Sequence, residues 1–251
     1  MSEKIDFAIG LIKKAQKEIL KKKDKFTFEQ KTNHSDLVTD VDVYIEEFIS
    51  QKLVSKYFND SVLGEERSKY YNEEARNQWI LDPIDGTLNF ITQGKNFAIS
   101  LAYYENKRAV FGIVLDVISD DLFTAISGKG AYYNGEKLNL AKYKPLEESM
   151  IITSHRWLIN NNLDTYLDKL DLCRHFRYYG VASLEICYVA IGLADMYISC
   201  SLFPWDYAAA IIIAKEVGLI AKDINGKDLN VFERSSVIVS TKKLYEEIFD
   251  Q

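Results

Sequence analysis

Trp79-Ile80-Leu81-Asp82-Pro83-Ile84-Asp85-Gly86-Thr87-Leu88-Asn89-Phe90 sets two carboxylates three residues apart between an apolar run and a Gly-Thr pair. The pattern predicts a strand ending at Asp82, an extended turn fixed by Pro83, and a helix opened by Gly86-Thr87. So arranged, two carboxylates and the backbone carbonyl between them can aim at one cation, while the amides of Gly86 and Thr87 point at an anion. A helix start with free N–H groups is a ready phosphate site. Taken alone, the same residues also read as a polar strand-to-helix turn, with Asp85 as N-cap and Asp82 in an Asx-turn.

Outward from this stretch, helical periodicity covers 2–23 and 41–58, joined by an extended and turning segment. Strand-like pieces follow at SVLG, QWILD, NFAISLAYYEN, RAVFGIVLDV and DDLFTAI, with turns at Glu105-Asn106-Lys107 and Ser119-Asp120, which predicts an antiparallel meander. The polar run around Pro145 marks a boundary between an N-terminal α+β subdomain, 1–145, and a C-terminal α/β subdomain, 146–251. In the second part, helices are expected over 158–170, 182–194 and 207–217. Strands are expected over SMIITS, 149–154, and near 176–179, 196–200 and 218–221, followed by a final strand and helix. No internal repeat or low-complexity tract is found.

The chain has 37 acidic and 31 Lys and Arg residues, a net charge of −6, and only three His and three Cys among 251 residues. The acidic balance argues against a nucleic-acid partner, and the basic run KKAQKEILKKKDK reads as the solvated face of the first helix. With no CxxC or HExxH, any bound metal is expected to be held by carboxylates, which favours Mg²⁺, Mn²⁺ or Ca²⁺. The apolar stretch 186–214 is broken by Gly192, Asp195, Pro204 and Asp206, which argues against a membrane span. The amino terminus lacks the apolar core of an export signal, and the cysteines are odd in number and unpatterned, so a cytoplasmic protein is expected.

Two further segments place acids at element ends. Glu65-Glu66 follow a short strand, and Asp206 in Pro204-Trp205-Asp206 opens an apolar helix. Singly, they read as solvated loop charges and as a helix cap. Together, GEE, LDPIDGTLNF and PWDYAAA resemble the inositol monophosphatase family, within the lithium-sensitive, magnesium-dependent phosphatases that include fructose-1,6-bisphosphatase. The likeness extends to Asp36-Leu37-Val38-Thr39 with Asp42, and to Gly180-Val181-Ala182. It implies a layered α/β/α/β/α sandwich, a homodimer, and hydrolysis of a small phosphate monoester by direct attack of a metal-activated water, releasing inorganic phosphate.

By position, the resemblance implies that Glu65, Asp82, the Ile84 carbonyl, Asp85 and Asp206 hold two Mg²⁺ ions, with a third near Glu65 and Mn²⁺ as an alternative. Gly86 and Thr87 would grip the phosphate, while Thr87, bonded to Asp42, and Glu65 would orient and deprotonate the water. Lys31 is placed like a family lysine near the phosphate, and reads equally as a surface lysine. Arg177 reads first as a structural arginine or dimer contact, and otherwise as a group that recognises a polyol, a second phosphate or a nucleotide. Family members acting on inositol monophosphates carry a glutamate seven residues before the aspartate of the WD motif; here that position is Ser199, which cannot supply a charged acceptor to a diol. The expected substrate is therefore a polyol, sugar or nucleotide phosphate, with NADP(H) or 3′-phosphoadenosine phosphate as the alternative. A catalytically weak phosphate-binding regulator is a further alternative.

Overall fold

Eight consecutive residues, Gln78 to Asp85, are buried, and the computed structural model is layered around the strand they form. The structure describes residues 2–23, 25–30, 37–66, 69–154 and 166–249. Its first half runs α1 (Ser2–Lys22), β1 (Phe28–Gln30), β2 (Leu37–Thr39), α2 (Asp40–Lys56), β3 (Asp60–Gly64), β4 (Asn77–Asp85), α3 (Thr87–Gln93), β5 (Ala98–Glu105), β6 (Arg108–Asp116), β7 (Leu122–Ile126), β8 (Gly130–Tyr133) and β9 (Glu136–Lys137). There follow β10 (Met150–Thr153), α4 (Leu167–Leu170), β11 (His175–Arg177), α5 (Ala182–Ala190), β12 (Met196–Leu202), α6 (Pro204–Glu216), β13 (Ile220–Lys222), β14 (Ser235–Ser240) and α7 (Lys242–Phe249).

Strands β3 to β9 form one sheet in sequence order, with β3 parallel to β4 and the other neighbours antiparallel. A second sheet has the order β11-β10-β12-β14-β13. Because side chains alternate along a strand, Trp79 and Leu81 join a core with α1 and α2, whereas Ile80 joins one with α5, α6 and the inner face of the second sheet. The outer face of that sheet packs on α4 and α7 through Ile151, Ile198, Leu244 and Ile248. The order helix, sheet, helix, sheet, helix is the five-layer sandwich expected. Among the described residues, no helix is long and apolar enough to cross a membrane.

Two contacts fix the layers. Lys4 of α1 donates to Asp60 Oδ2 at 2.8 Å and to Tyr103 Oη at 2.7 Å, with its ammonium 4.0 Å from the Tyr103 ring centroid. Asp60 also accepts the buried Trp79 indole N–H at 2.9 Å. On the opposite face, α6 lies directly on β6: a Cβ at Gly112 would stand 2.3 Å from the Ala209 carbonyl oxygen.

Several boundaries differ from expectation. Strand β4 continues through Pro83 to Asp85, with a register shift between Asp82 and Asp85 that spares the proline a ladder bond. The N-cap of α3 is Gly86, at φ +94°, rather than Asp85. Helix α5 stops at Ala190, before Gly192 at φ +78°. Helix α6 begins at Pro204, where a ring that lacks an N–H suits the first turn. Strands β8 and β9 lie in a Gly-rich stretch given no strands by the sequence. Most of the helix expected over 158–170 lies outside the described residues. The basic run of α1 is partly spent in packing: Lys13 pairs with Asp120, and Lys22 lies over the Tyr44 ring.

Gly112→Ala should destabilise the protein by about 1–3 kcal/mol through overpacking, lowering its melting temperature by several degrees. Gly10→Ala, on α1 with open space around it, should raise stability by up to about 1 kcal/mol. Thermal unfolding followed by circular dichroism checks the pair, and equal stability of both variants would contradict the contact.

Candidate active site

A cleft of about 620 Å³ opens where β3, β4, α3, α6 and the loop before α5 meet, and Glu65, Asp82, Ile84, Asp85, Gly86, Thr87, Tyr178, Gly180 and Asp206 are among its walls. Three elements end here and deliver one set of acids. Asp82 and Asp85 come from the bulged end of β4, Glu65 follows β3, and Asp206 is the third residue of α6.

Each carboxylate is held by the backbone around it. Asp82 Oδ1 accepts the Ile84 N–H at 3.0 Å. Asp85 Oδ2 accepts the Ser183 N–H at 2.7 Å, so a residue of β4 caps α5 from across the molecule. Asp206 Oδ2 accepts the Phe203 N–H at 2.8 Å, the reaching-back half of a capping box. Taken singly, Asp206 reads as the cap of a helix beginning at Tyr207; because Pro204 starts the helix, Asp206 is instead its third residue and caps by reaching back to Phe203.

Asp42 divides its two oxygens between two tasks. Oδ2 accepts the Thr39 N–H at 2.9 Å and the Thr39 hydroxyl, closing the capping box of α2. Oδ1 stands 2.9 Å from Thr87 Oγ1, which is also 3.1 Å from the Ile84 carbonyl. A Thr87 hydroxyl that donates to Asp42 turns its lone pairs elsewhere, and so can accept from a water.

Burial and mutual repulsion raise these acids above the ordinary carboxylate range. Desolvation is the first cause for Asp42 and Asp85, each pushed up to about 6, and for Asp206, pushed up to about 7. Asp82 is raised by burial and then by the charges of Glu65, Asp85, Asp206 and Asp42. Among the described residues, no lysine or arginine forms an ion pair with Asp42, Asp82, Asp85 or Asp206. Also among them, no three such side chains are gathered into a set that holds an ion as it stands. The fit to a divalent cation therefore rests on the donor chemistry: buried oxygen anions that repel one another and, among the described residues, have no lysine or arginine in an ion pair with them, a set that suits Mg²⁺.

The anion side is built on Gly86. A Cβ there would meet Val181 Cγ2 at 2.8 Å and the Asn96 carbonyl at 3.2 Å, so the turn admits only glycine. Val181 and Ala182 are buried, and Val181 supports the Gly86 turn rather than lining the cleft. Gly180 lines it directly. Ser199 is 2 % exposed and is not among the residues that line the cleft. Arg177 is exposed away from the cleft lining and donates to its neighbour's carbonyl, Phe176 O, at 2.8 Å. Lys31 lies outside the described residues.

Three residues missed by the sequence reading hold this frame. Glu46, 1 % exposed, accepts the Glu66 N–H at 2.7 Å and fills the space that the missing side chain of Gly64 leaves open. Glu185 accepts the N–H groups of Tyr179 and Gly180 at 2.5 and 3.0 Å, and burial pushes its carboxyl up to about 7. Asn89 donates to the Asn96 and Tyr179 carbonyls, tying α3 to the same loop. The signal available was an acid at an apolar helix position, four residues after Asp42 for Glu46 and inside ASLEICYVA for Glu185.

The chain as a whole is similar to known proteins. The family model described as the inositol monophosphatase family matches residues 1–251. An inositol-1-monophosphatase of Bacillus subtilis (strain 168) is 36 % identical over 233 residues, covering 91 % of this chain and 88 % of the relative. An IMPase/NADP phosphatase complexed with Mg²⁺ and phosphate superposes with a TM-score of 0.91 at 31 % identity, covering 98 % of this chain and 94 % of that one. An IMPase/NADP phosphatase complexed with NADP and Ca²⁺ gives 0.92 at 30 % identity, covering 99 % and 95 %. With its layers, its acid-lined cleft and the match over its whole length, this chain belongs to the inositol monophosphatase family, whose members hydrolyse phosphate monoesters.

Proposed function

We propose that this protein catalyses the Mg²⁺-dependent hydrolysis of a small phosphate monoester, releasing inorganic phosphate by direct attack of water. The observation that carries the reading is the Thr87–Asp42 hydrogen bond at the rim of a cleft lined by four acids. Glu65, Asp82, the Ile84 carbonyl, Asp85 and Asp206 would hold two ions, with room for a third near Glu65 and with Mn²⁺ as a substitute. When bound, the metal would neutralise the phosphoryl charge, lower the pKa of a water and stabilise the departing alkoxide.

The chain's own groups supply the rest. The amides of Gly86 and Thr87, at the start of α3, hold phosphate oxygens. Thr87 takes a hydrogen bond from the attacking water once its own proton is committed to Asp42, and Glu65 accepts the water's proton. Asp85 orders α5 while it serves the cation site, so the loop from Tyr178 to Gly180 is set together with the chemistry. Family likeness extends the reading to a homodimer, and the odd number of unpatterned cysteines supports a cytoplasmic location.

The leaving group is proposed to be a polyol, a sugar or a nucleotide. A nucleotide phosphate such as NADP(H) or 3′-phosphoadenosine phosphate is favoured by the neutral Ser199 and by the likeness to an IMPase/NADP phosphatase. The regulator alternative has less support, because every acid that the resemblance requires is present.

Asp85→Asn should reduce Mg²⁺-dependent phosphate release to the background rate, and retention of wild-type release would remove the site assignment. Ser199→Glu should raise turnover of inositol 1-phosphate relative to NADP, and an unchanged ratio would show that this position does not set the preference. The raised acids also give a pH signature. Metal-free, the folded state keeps protons that the unfolded chain has already released, so stability falls as pH rises from about 4 to about 7. Mg²⁺ takes the place of those protons, and the rise in melting temperature on adding it should be larger at about pH 8 than at about pH 5. Scanning calorimetry at both values, with and without Mg²⁺, checks this; equal shifts would refute it.

A further inference from the structure

Asp85 differs from two other acids of the cleft in what holds it. Asp82 and Asp206 accept N–H groups only two and three residues away, from Ile84 and Phe203, so each brings its support in its own segment. Asp85 is held by Ser183, 98 positions later in the chain and on another element. The Ser183 N–H takes Asp85 Oδ2 at 2.7 Å, which commits that oxygen to the first turn of α5.

The same residue brings a hydroxyl to the same place. Ser183 is fully buried, and among the described residues its Oγ makes no hydrogen bond of ordinary geometry. It nevertheless stands close enough to act on Asp85. Burial raises that carboxyl, and the first group acting against the rise is the Ser183 hydroxyl, ahead of the Ser183 and Ala182 N–H groups. A donor so near and so poorly aligned needs only a turn about its Cα–Cβ bond to point at the carboxylate.

The needs of the helix do not account for this serine. The N-cap of α5 is Val181, which supplies no side-chain cap, and Ser183 is the second residue inside. The amide that Asp85 accepts would be present with any side chain except proline's. Alanine is the better helix former at such a position, and a buried hydroxyl without a well-made bond is a cost to the fold. The acceptor on which the hydroxyl acts belongs instead to the proposed cation site. Ser183 is not among the residues that line the cleft, so its route to the chemistry runs through Asp85.

We propose that the Ser183 hydroxyl is a positioning group for the cation site: it donates to the Asp85 carboxylate, fixes its plane together with the N–H of the same residue, and so raises Mg²⁺ affinity without touching the ion. Two donors from one rigid helix end restrain rotation of the carboxylate, as groups behind a metal ligand do when they orient it. The inference rests on the assignment of Asp85 to the cation site in the proposed hydrolysis.

Isothermal titration of MgCl₂ into protein stripped with EDTA tests it, paired with melting temperatures of the stripped protein. Ser183→Ala should raise the Mg²⁺ dissociation constant by about tenfold, as loss of a group supporting a metal ligand does. Its melting temperature without Mg²⁺ should equal that of the wild type or exceed it, because alanine removes a poorly bonded buried hydroxyl and suits the helix. Ser183→Thr, which keeps a hydroxyl, should recover part of the affinity. In phosphate release, Ser183→Ala should need about tenfold more Mg²⁺ for half its maximal rate, with kcat at saturating Mg²⁺ close to that of the wild type. A dissociation constant that Ser183→Ala leaves unchanged overturns the inference while the hydrolytic reading stands, whether or not the melting temperature falls. Failure of the wild type to take up Mg²⁺ overturns both.

Discussion

Repulsion among buried carboxylates is the constraint around which the molecule is arranged. Asp82 feels four other acids, and burial removes the water that would screen them. A fold that only had to be stable would separate these charges. Here the strand end of β4, the turn after β3 and the first turn of α6 are each braced by backbone hydrogen bonds, so the acids stay together with the molecule's packing holding them. The N–H groups of Ile84, Ser183 and Phe203 answer part of the negative charge, and the remainder is what a hard cation would answer.

This arrangement also joins the two sheets chemically. Asp85, from the larger sheet, orders the start of α5, and α5 returns Glu185 to shape the loop at the cleft wall. Asn89 completes the circuit from α3. Displacing any one of these groups would be felt at the others, as expected of a connected polar network in a low dielectric.

Much of the site was legible because its chemistry is local. Asp82, Ile84, Asp85, Gly86 and Thr87 lie within six residues, and the spacing alone suggested one cation and one anion. The meander and the alternating second half were legible in the pattern, while the five-layer order came with the family likeness. What escaped the sequence was decided by distant partners. The bulge that admits Pro83 depends on β5, and the start of α6 on the proline and on Asp206 reaching back to Phe203. Glu46 and Glu185 read as ordinary helix acids because nothing local shows the backbone amides that each will meet. Arg177 stands next to a tyrosine-rich turn in the sequence, yet in the fold it donates to the carbonyl of its own neighbour Phe176.

Helix α2 carries Asp42 and Glu46 four residues apart, so the hydroxyl anchor at Thr87 and the amide anchor at Glu66 hang from successive turns of one rod. An α-helix advances about 5.4 Å per turn and turns about 100° per residue. The separation of the two anchored groups, the Thr87 hydroxyl and the Glu66 amide, is thereby tied to helix pitch, a quantity that loops cannot stretch. A single residue gained or lost between positions 42 and 46 would swing one anchor off the face shared by both, so this short interval tolerates changes of side chain far better than changes of length.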